Sequence, residues 1–385
     1  MLNYYYLYSI IATIVTLLYL IPLSSLNRPL SPFFVALIII SVIISLILGY
    51  VFKNNFIYRD LVYKKNKNNI LPAALITAGS VIEFIYLKNI PLCSVTMLHK
   101  IKYAELTTIP FYHVLICMFA LYYSVEYLYK AVSYKEERIT NIICYLLINV
   151  LMILYNMRSF LLISLFITAN FIIAKRRYIG KKISLKLIVA SIVFILALFY
   201  GFGCFGNLRE GQSIDNTLYM EKIGMYKAWP NLIPKQYMWT YTYITSPLAN
   251  LNNSILHYDN NHSISGFITQ LLPNTIGSRL FDDDSTKKCI LIRGDLNVGT
   301  GYCGSVVNYG YIGLIVFWII TMLFPILFFK YNKLSYKTKE YFIFLAIYNA
   351  CISFMCVDNM FVYGGTSAPL WLSTLLLINK IKVKW

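Results

Sequence analysis

The sequence is short of charge, and acidic residues are scarcer than basic ones. Only 13% of its 385 residues are charged, and 16 Asp and Glu stand against 34 Lys and Arg. A soluble globular domain is about one quarter charged, so this composition excludes that class. A disordered chain is excluded as well, because 58% of the residues are hydrophobic. Nucleic-acid binding would need basic residues gathered on a water-soluble surface, so the location of the cations decides what the net charge means.

Metal-binding patterns and internal repeats are also missing. The chain has four His and eight Cys, without a C-x-x-C pair or a cluster of His at metal-binding spacing. We therefore expect no zinc site and no cofactor. The absence of a visible internal repeat argues against the inverted repeats that are common in transporters.

Long apolar runs dominate the sequence instead. A helix needs about 20 mostly apolar residues to cross a bilayer, and ten runs approach that length. The first run has no basic leader and no small-residue cleavage site, so we interpret it as a retained span. The sequence thus predicts an all-α polytopic membrane protein with about ten transmembrane helices, at residues 4–23, 32–52, 70–90, 107–129, 140–157, 159–174, 187–205, 305–329, 341–357 and 360–379.

The basic residues concentrate in alternate loops between these runs. One set of loops holds 21 of the 34 Lys and Arg, and the other set holds 13. Cytoplasmic loops of membrane proteins are enriched in Lys and Arg, so the first set and both termini are predicted to be cytoplasmic. The positive charge therefore indicates topology and suits contact with anionic membrane lipids.

One segment, residues 206–304, is far longer than the other loops. It separates a seven-helix part, residues 1–205, from a three-helix part, residues 305–385, and it carries eight basic and eight acidic residues. Structureless loops of this length are uncommon, and its many Trp and Tyr favour short helices on the membrane surface. We expect a folded periplasmic cap.

Three cysteines are expected outside the membrane. Cys289 and Cys303 lie at the end of the cap, and an oxidising compartment permits a disulfide between them. Cys204 is the third. The other five lie in or near apolar runs, where we expect them to be small buried hydrophobic residues.

Two charged residues lie at or near membrane depth, where charge is costly and often functional. Arg158 stands at the outward turn between the fifth and sixth runs. It either reaches into an outer cavity or extends to the interface. Glu83 lies within the third run, and it either pairs with a cation of another helix or marks a helix boundary.

The arginines of the cap are candidate anion ligands. Arg209 opens the cap beside Glu210, Arg293 precedes a glycine-rich stretch at residues 294–304, and Arg279 lies between them. A guanidinium suits phosphate oxygens, and glycines before a helix let backbone N–H groups approach an anion. The alternatives are an ordinary surface ion pair at Arg209 and ordinary turns at the glycines.

Candidates for proton transfer at the outer face are His257, His262 and Glu210. Histidine is the usual general base near neutral pH, although each His is equally compatible with an exposed loop. The cap tryptophans and tyrosines suit either stacking on sugars or anchoring at the membrane interface.

Together these features resemble the O-antigen polymerase family of oligosaccharide repeat-unit polymerases. The architecture is similar over most of the chain, with about ten spans and one large periplasmic loop before the last three. The resemblance also rests on N-M-R-S at 156–159, Y-I-T-S-P-L at 243–248 and N-Y-G-Y-I-G-L at 308–314. Arg293 and Gly304, eleven positions apart, match an Arg-to-Gly spacing of some members. The other cap arginines have no glycine at that spacing.

The resemblance implies a glycosyltransferase similar to the GT-C class, at the periplasmic face of a bacterial inner membrane. It would transfer a growing glycan from undecaprenyl pyrophosphate to a sugar hydroxyl of another lipid-linked repeat unit. A chain-length regulator is the expected partner. Arginines would stabilise the pyrophosphate leaving group. The candidate catalytic residues are Arg158, Arg209, Arg293, His257 and Glu210, and the candidate substrate-binding residues are Arg279, His262, Tyr243, Gly301, Gly304 and Asn308.

Two other functions remain open at this point. An O-antigen ligase would use the same donor lipid and transfer the glycan to a lipid A core sugar. A flippase for lipid-linked oligosaccharides is the alternative from another class, although it gives no reason for a cap of about a hundred residues. For the polymerase we expect Arg158, Arg209 and Arg293 to converge around one cavity under the cap.

Overall fold

The computed structural model describes residues 3–58, 69–97, 107–182, 184–259, 261–281, 287–330 and 338–382. In these ranges the chain is helical, and the one isolated β-bridge joins Ser24 to Tyr226. The α-helices there are α1 (Tyr4–Leu20), α2 (Pro32–Val51), α3 (Leu71–Leu87), α4 (Tyr112–Ser133), α5 (Arg138–Leu154), α6 (Arg158–Tyr178), α7 (Leu185–Arg209), α8 (Leu218–Gly224), α9 (Tyr237–His257), α10 (Ile264–Thr269), α11 (Asn274–Leu280), α12 (Cys303–Leu323), α13 (Ile326–Lys330), α14 (Lys339–Phe354) and α15 (Gly364–Lys382).

The predicted all-α membrane class agrees with these helices. Five helical stretches of the described residues are long and apolar enough to cross a membrane: α2, α4, α6, α7 and Cys303–Phe329. Three shorter apolar helices are α1, α3 and α5. Each of the ten apolar runs contains a helix whose ends lie within a few residues of the expected ones. The chain is therefore a multi-pass helical membrane protein.

Several helices begin where the sequence offers a capping side chain. Ser31 accepts a hydrogen bond from the Phe34 N–H ahead of Pro32, and Ser184 and Thr338 cap α7 and α14 in the same way. A proline in the first turn needs no hydrogen-bond partner for its nitrogen. These caps fix the helix starts locally, before any packing between helices.

An aromatic core surrounds α14, whose residues 340–353 are all buried. Pro325 ends α12 and cannot donate to the carbonyl of Thr321, and the Tyr348 hydroxyl donates to that carbonyl instead. The Tyr4 and Tyr5 hydroxyls donate to the next carbonyl, that of Met322, at 2.8 and 3.0 Å. Tyrosines of α1 and α14 thus bind carbonyl groups near the end of α12.

The long helix α9 belongs to the segment expected to be a cap, and it lies against α1, α7 and α12. The Tyr241 hydroxyl donates to the carbonyl of Ile21, just after α1 (2.8 Å). Gly203 of α7 lets the Gln236 carbonyl approach closely, because a Cβ there would lie 2.0 Å from that oxygen. This close packing brings the first half of α9 against the end of α7, where the candidate site lies.

Candidate active site

A cleft opens between the end of α7, helix α8 and the first half of α9. Residues 295–298 and Val357, which follows α14, complete its wall, and its empty volume is about 470 Å³, partly open to solvent. The lining combines one cation, one carboxylate, three aromatic side chains and two small polar ones: Arg209, Asp295, Tyr219, Trp239, Tyr243, Ser246 and Asn297. A few polar groups among aromatic walls are typical of a ligand site.

Arg209 supplies the positive charge of the cleft. Its Nε lies 3.0 Å from Glu210 Oε1, and its guanidinium lies 5.7 Å from the centre of the Trp239 ring. The Tyr243 hydroxyl interacts with the same guanidinium. These three contacts, with a carboxylate, a ring face and a hydroxyl, hold the guanidinium at the cleft. The Arg209 side chain is 18% exposed, so it stays partly accessible to a ligand.

The end of α7 also fixes the aromatic wall. Asn207 is fully buried, and its Oδ1 accepts a hydrogen bond from Trp239 Nε1 at 2.6 Å. A Cβ at Gly206 would lie 2.6 Å from the Trp239 ring, so only glycine allows the indole to pack there. The sequence Gly206-Asn207-Leu208-Arg209 therefore places Trp239 and the cation side by side.

The opposite wall is held by side-chain amides of α9. Asn250 Nδ2 donates to the carbonyls of Leu296 (2.7 Å) and Val298 (2.9 Å), and its Oδ1 accepts from the Ile292 N–H (2.9 Å). Asn253 Nδ2 donates to the Ile290 carbonyl at 3.0 Å. These residues belong to no helix, so their backbone groups need such partners, and the amides give the segment a defined shape.

The disulfide that the sequence permitted is present. Cys289 and Cys303 are bonded, with an S–S distance of 2.05 Å. It joins the start of α12 to the segment that carries Arg293. Arg293 pairs with Asp295 at 3.0 Å, and it also donates to the Lys222 carbonyl at 3.2 Å. Arg293 therefore stands behind the cleft carboxylate and is not one of the residues that line the cleft.

Arg158 is the first residue of α6, and its guanidinium lies 5.3 Å from the Phe202 ring. Phe202 in turn packs edge-on against Tyr243 of the cleft, with 5.1 Å between ring centres. The three predicted arginines thus differ in position. Arg209 lines the cleft. Arg293 contacts the cleft residue Asp295, and Arg158 contacts Phe202, which packs on a cleft residue. The convergence of the three arginines on one substrate stays a prediction.

Glu83 pairs with a histidine of another helix, which is one of its two expected roles. It is fully buried, its Oε2 lies 3.2 Å from His113 Nδ1, and it accepts hydrogen bonds from the Tyr155 hydroxyl (2.8 Å) and the Ile109 N–H (3.1 Å). Tyr155 belongs to the turn before Arg158. Glu83 therefore ties that turn to α3 and α4.

The predicted histidines and Arg279 lie away from the cleft. His257 is exposed in the last turn of α9, ten residues and about 15 Å of helix beyond Pro247 of the cleft. His262 is exposed and stacks on Tyr309, with 4.7 Å between the ring centres. Arg279 packs on Phe111 at 4.1 Å. Of the proposed bases, Glu210 remains beside the cleft through its pair with Arg209.

The predicted glycine-rich ligand loop packs against protein atoms. A Cβ at Gly301 would lie 2.2 Å from Met355, and one at Gly304 would lie 2.0 Å from Gln270. Asn308 is fully buried and holds the backbone of Lys287 through both amide atoms. Substrate binding by these residues stays a prediction, and their observed contacts are internal packing.

Several residues at or next to the cleft, Trp239 among them, were not predicted as site members. Tyr219 and Asp295 line it directly. Asp358 follows Val357, has no ion-pair partner among the described residues, and burial raises its pKa. Tyr219 and Ile223 are four residues apart on α8, as Trp239 and Tyr243 are on α9, so each pair lies on one face of its helix. The sequence carries no signal that these two faces meet.

Comparison with known proteins gives no relative. The chain matches no family model, no curated protein and no solved structure.

Proposed function

We propose that the protein polymerises oligosaccharide repeat units linked to undecaprenyl pyrophosphate, at the periplasmic face of a bacterial inner membrane. The observation that carries the proposal is the cleft itself. It combines a guanidinium, which suits phosphate oxygens, with aromatic rings, which suit sugar faces. It lies at the end of the apolar helix α7, where a lipid-linked headgroup would emerge from the bilayer.

The proposal includes ten spans, α1–α7, α12, α14 and α15, arranged as in the GT-C class with both termini in the cytoplasm. That arrangement puts α8–α11 and the loops after α1, α3, α5 and α14 on the outer side. Contacts among these parts support it. Ser24 pairs with Tyr226, Arg279 packs on Phe111, and the Asn274 N–H donates to the Val362 carbonyl at 3.0 Å.

In the proposed reaction a hydroxyl oxygen of the acceptor sugar attacks the anomeric carbon of the donor glycan. The bond from that carbon to the pyrophosphate oxygen breaks, and the lipid pyrophosphate leaves with the electron pair. Arg209 stabilises the charge that develops on the leaving group, with Arg158 and Arg293 as further cations. Of the bases that the sequence predicted, Glu210 lies beside the cleft through its pair with Arg209 and takes the hydroxyl proton. Tyr219, Trp239 and Tyr243 hold the sugars.

The test is elongation of defined lipid-linked repeat units by the purified protein. We expect Arg209→Ala to lower turnover by about 100- to 1,000-fold, the usual effect of losing one charge-stabilising donor. Arg279→Ala, an arginine outside the cleft, is the matched variant and should retain turnover within about twofold.

Three outcomes would overturn the proposal. Transfer to a lipid A core sugar without elongation would identify a ligase. Movement of the lipid-linked unit across vesicles without any new glycosidic bond would identify a transporter. Equal losses in the Arg209 and Arg279 variants would remove the cleft as the site.

A further inference from the structure

Three soft donor atoms meet near the N-terminal end of α4, apart from the cleft. Cys117 Sγ lies 3.4 Å from His113 Nε2 and 3.5 Å from Met157 Sδ. His113 and Cys117 are four residues apart, so they lie on one face of the helix. Met157 comes from the turn between α5 and α6 and reaches the same point.

The histidine is already oriented for ligation. Glu83 Oε2 lies 3.2 Å from His113 Nδ1, so a proton on that nitrogen binds the carboxylate and the lone pair of Nε2 points toward Cys117. Glu83 is itself fixed by Tyr155 and Ile109. A carboxylate that holds the second nitrogen of a histidine is the usual support of a metal-binding imidazole.

We propose that His113, Cys117 and Met157 form a binding site for Cu(I). Thiolate and thioether sulfur select soft ions such as Cu(I), whereas a structural zinc site takes four ligands, usually Cys and His. Among the described residues no three His, Cys, Asp or Glu side chains are gathered for a metal ion. The methionine is therefore what distinguishes this set.

The two donor separations suit one shared ion after a small adjustment. Ligand atoms about 2.0–2.3 Å from a metal lie about 3.5–4.0 Å from each other in a trigonal arrangement, and the observed separations of 3.4 and 3.5 Å are at the lower edge of that range. On binding, the Cys117 thiol releases its proton to solvent and a copper–sulfur bond forms. The thiolate and Cu(I) charges cancel, which suits a site where Cys117 is only 2% exposed.

The His113 side chain, 19% exposed, offers a route for the ion to enter. Met157 directly precedes Arg158, so a bound ion would join α4 to the turn that carries that arginine. The binding itself does not depend on the proposed polymerase activity.

The experiment is an anaerobic competition between the purified full-length protein, with ascorbate present, and bicinchoninate, a chelator that changes colour on binding Cu(I). We expect the protein to withdraw one equivalent of copper. Glu83→Gln removes a group that supports the histidine, so it should weaken Cu(I) binding by about 10- to 100-fold. Cys117→Ser removes a ligand and should weaken binding by more than that. Cys351→Ala removes a buried cysteine elsewhere and should bind as the unmodified protein does.

Met157→Leu keeps the side-chain volume, so it decides the question if Cys117→Ser does not fold. It should weaken binding by about 10-fold or more, and X-ray absorption of the loaded protein should show sulfur and nitrogen neighbours. The proposal is overturned if the protein fails to compete, if Met157→Leu and Cys117→Ser both bind normally, or if Zn²⁺ displaces Cu(I) at equal concentration.

Discussion

Helices α7 and α9 adjoin each other, and they reverse the usual relation between polarity and burial. Helix α7 is apolar throughout most of its 25 residues, yet only Gly203, Gly206 and Asn207 are buried. Helix α9 carries Asn, Ser and Thr along its length, yet 16 of its 21 residues are buried. An apolar helix can face the lipid of a bilayer without loss of stability, because lipid tails are as apolar as its side chains. Buried polar side chains stabilise a fold where they form hydrogen bonds with non-helical backbone groups.

The largest expected effect tests the buried polar side of this comparison. Asn250→Leu removes three hydrogen bonds and leaves the Ile292 N–H and the Leu296 and Val298 carbonyls without that partner. Each of these partly buried hydrogen bonds contributes about 0.5–1.5 kcal/mol, so we expect a loss of about 3 kcal/mol in the free energy of unfolding. Reversible unfolding in detergent mixtures measures it.

Val193→Ala on α7 is the matched control, since Val193 is 59% exposed on an apolar helix. Its effect should stay within about 0.5 kcal/mol. Equal losses for the two variants would contradict the stabilising role of the Asn250 hydrogen bonds.

A smaller effect sharpens the contact between the two helices. Gly203→Ala would place a Cβ 2.0 Å from the Gln236 carbonyl oxygen, whereas Gly201→Ala meets no atom within 4 Å. We expect Gly203→Ala to lower the free energy of unfolding by about 1–3 kcal/mol through overpacking. Gly201→Ala should be neutral or stabilise the helix by up to about 1 kcal/mol. Similar results at both positions would argue that α9 does not pack as closely as described.

The smallest effect concerns Asp358, a half-buried carboxyl whose Oδ1 accepts a hydrogen bond from the Asn359 N–H. Burial raises its pKa, so the folded state favours the neutral form. The stability that this group contributes is complete below the unfolded pKa and is lost as the pH rises through the folded pKa. Relative to the unmodified protein, Asp358→Asn should gain stability as the pH rises from 4 to 7. A difference that is constant with pH would contradict the buried acid.

The sequence predicted the helices well, because each apolar run reports a local property, hydrophobicity over about 20 residues. It also placed Arg209 beside Glu210 and made a disulfide between Cys289 and Cys303 possible, since those groups are close along the chain. It did not predict that Trp239 and Tyr243 face Tyr219. Those residues are brought together by α7, α8 and α9, and the spacing within one helix says nothing about which helix it meets.

The histidines illustrate the same limit. Residue type selected His257 and His262 as candidate bases, and their positions in the fold leave both outside the cleft. His113, which received no role from its sequence context, sits between Glu83 and Cys117. That arrangement depends on side chains from α3 and α4, so chain order could not reveal it.

The sequence by itself thus determined the all-helical membrane class and the distribution of charge, because solvent preference is a property of each segment. Only the tertiary structure decided which polar groups share a site. The amides of Asn250 and Asn253 bind a distant backbone segment, and Arg209 meets Trp239 because Gly206 allows close packing. Contacts of that kind depend on the paths of several helices at once, which local composition does not specify.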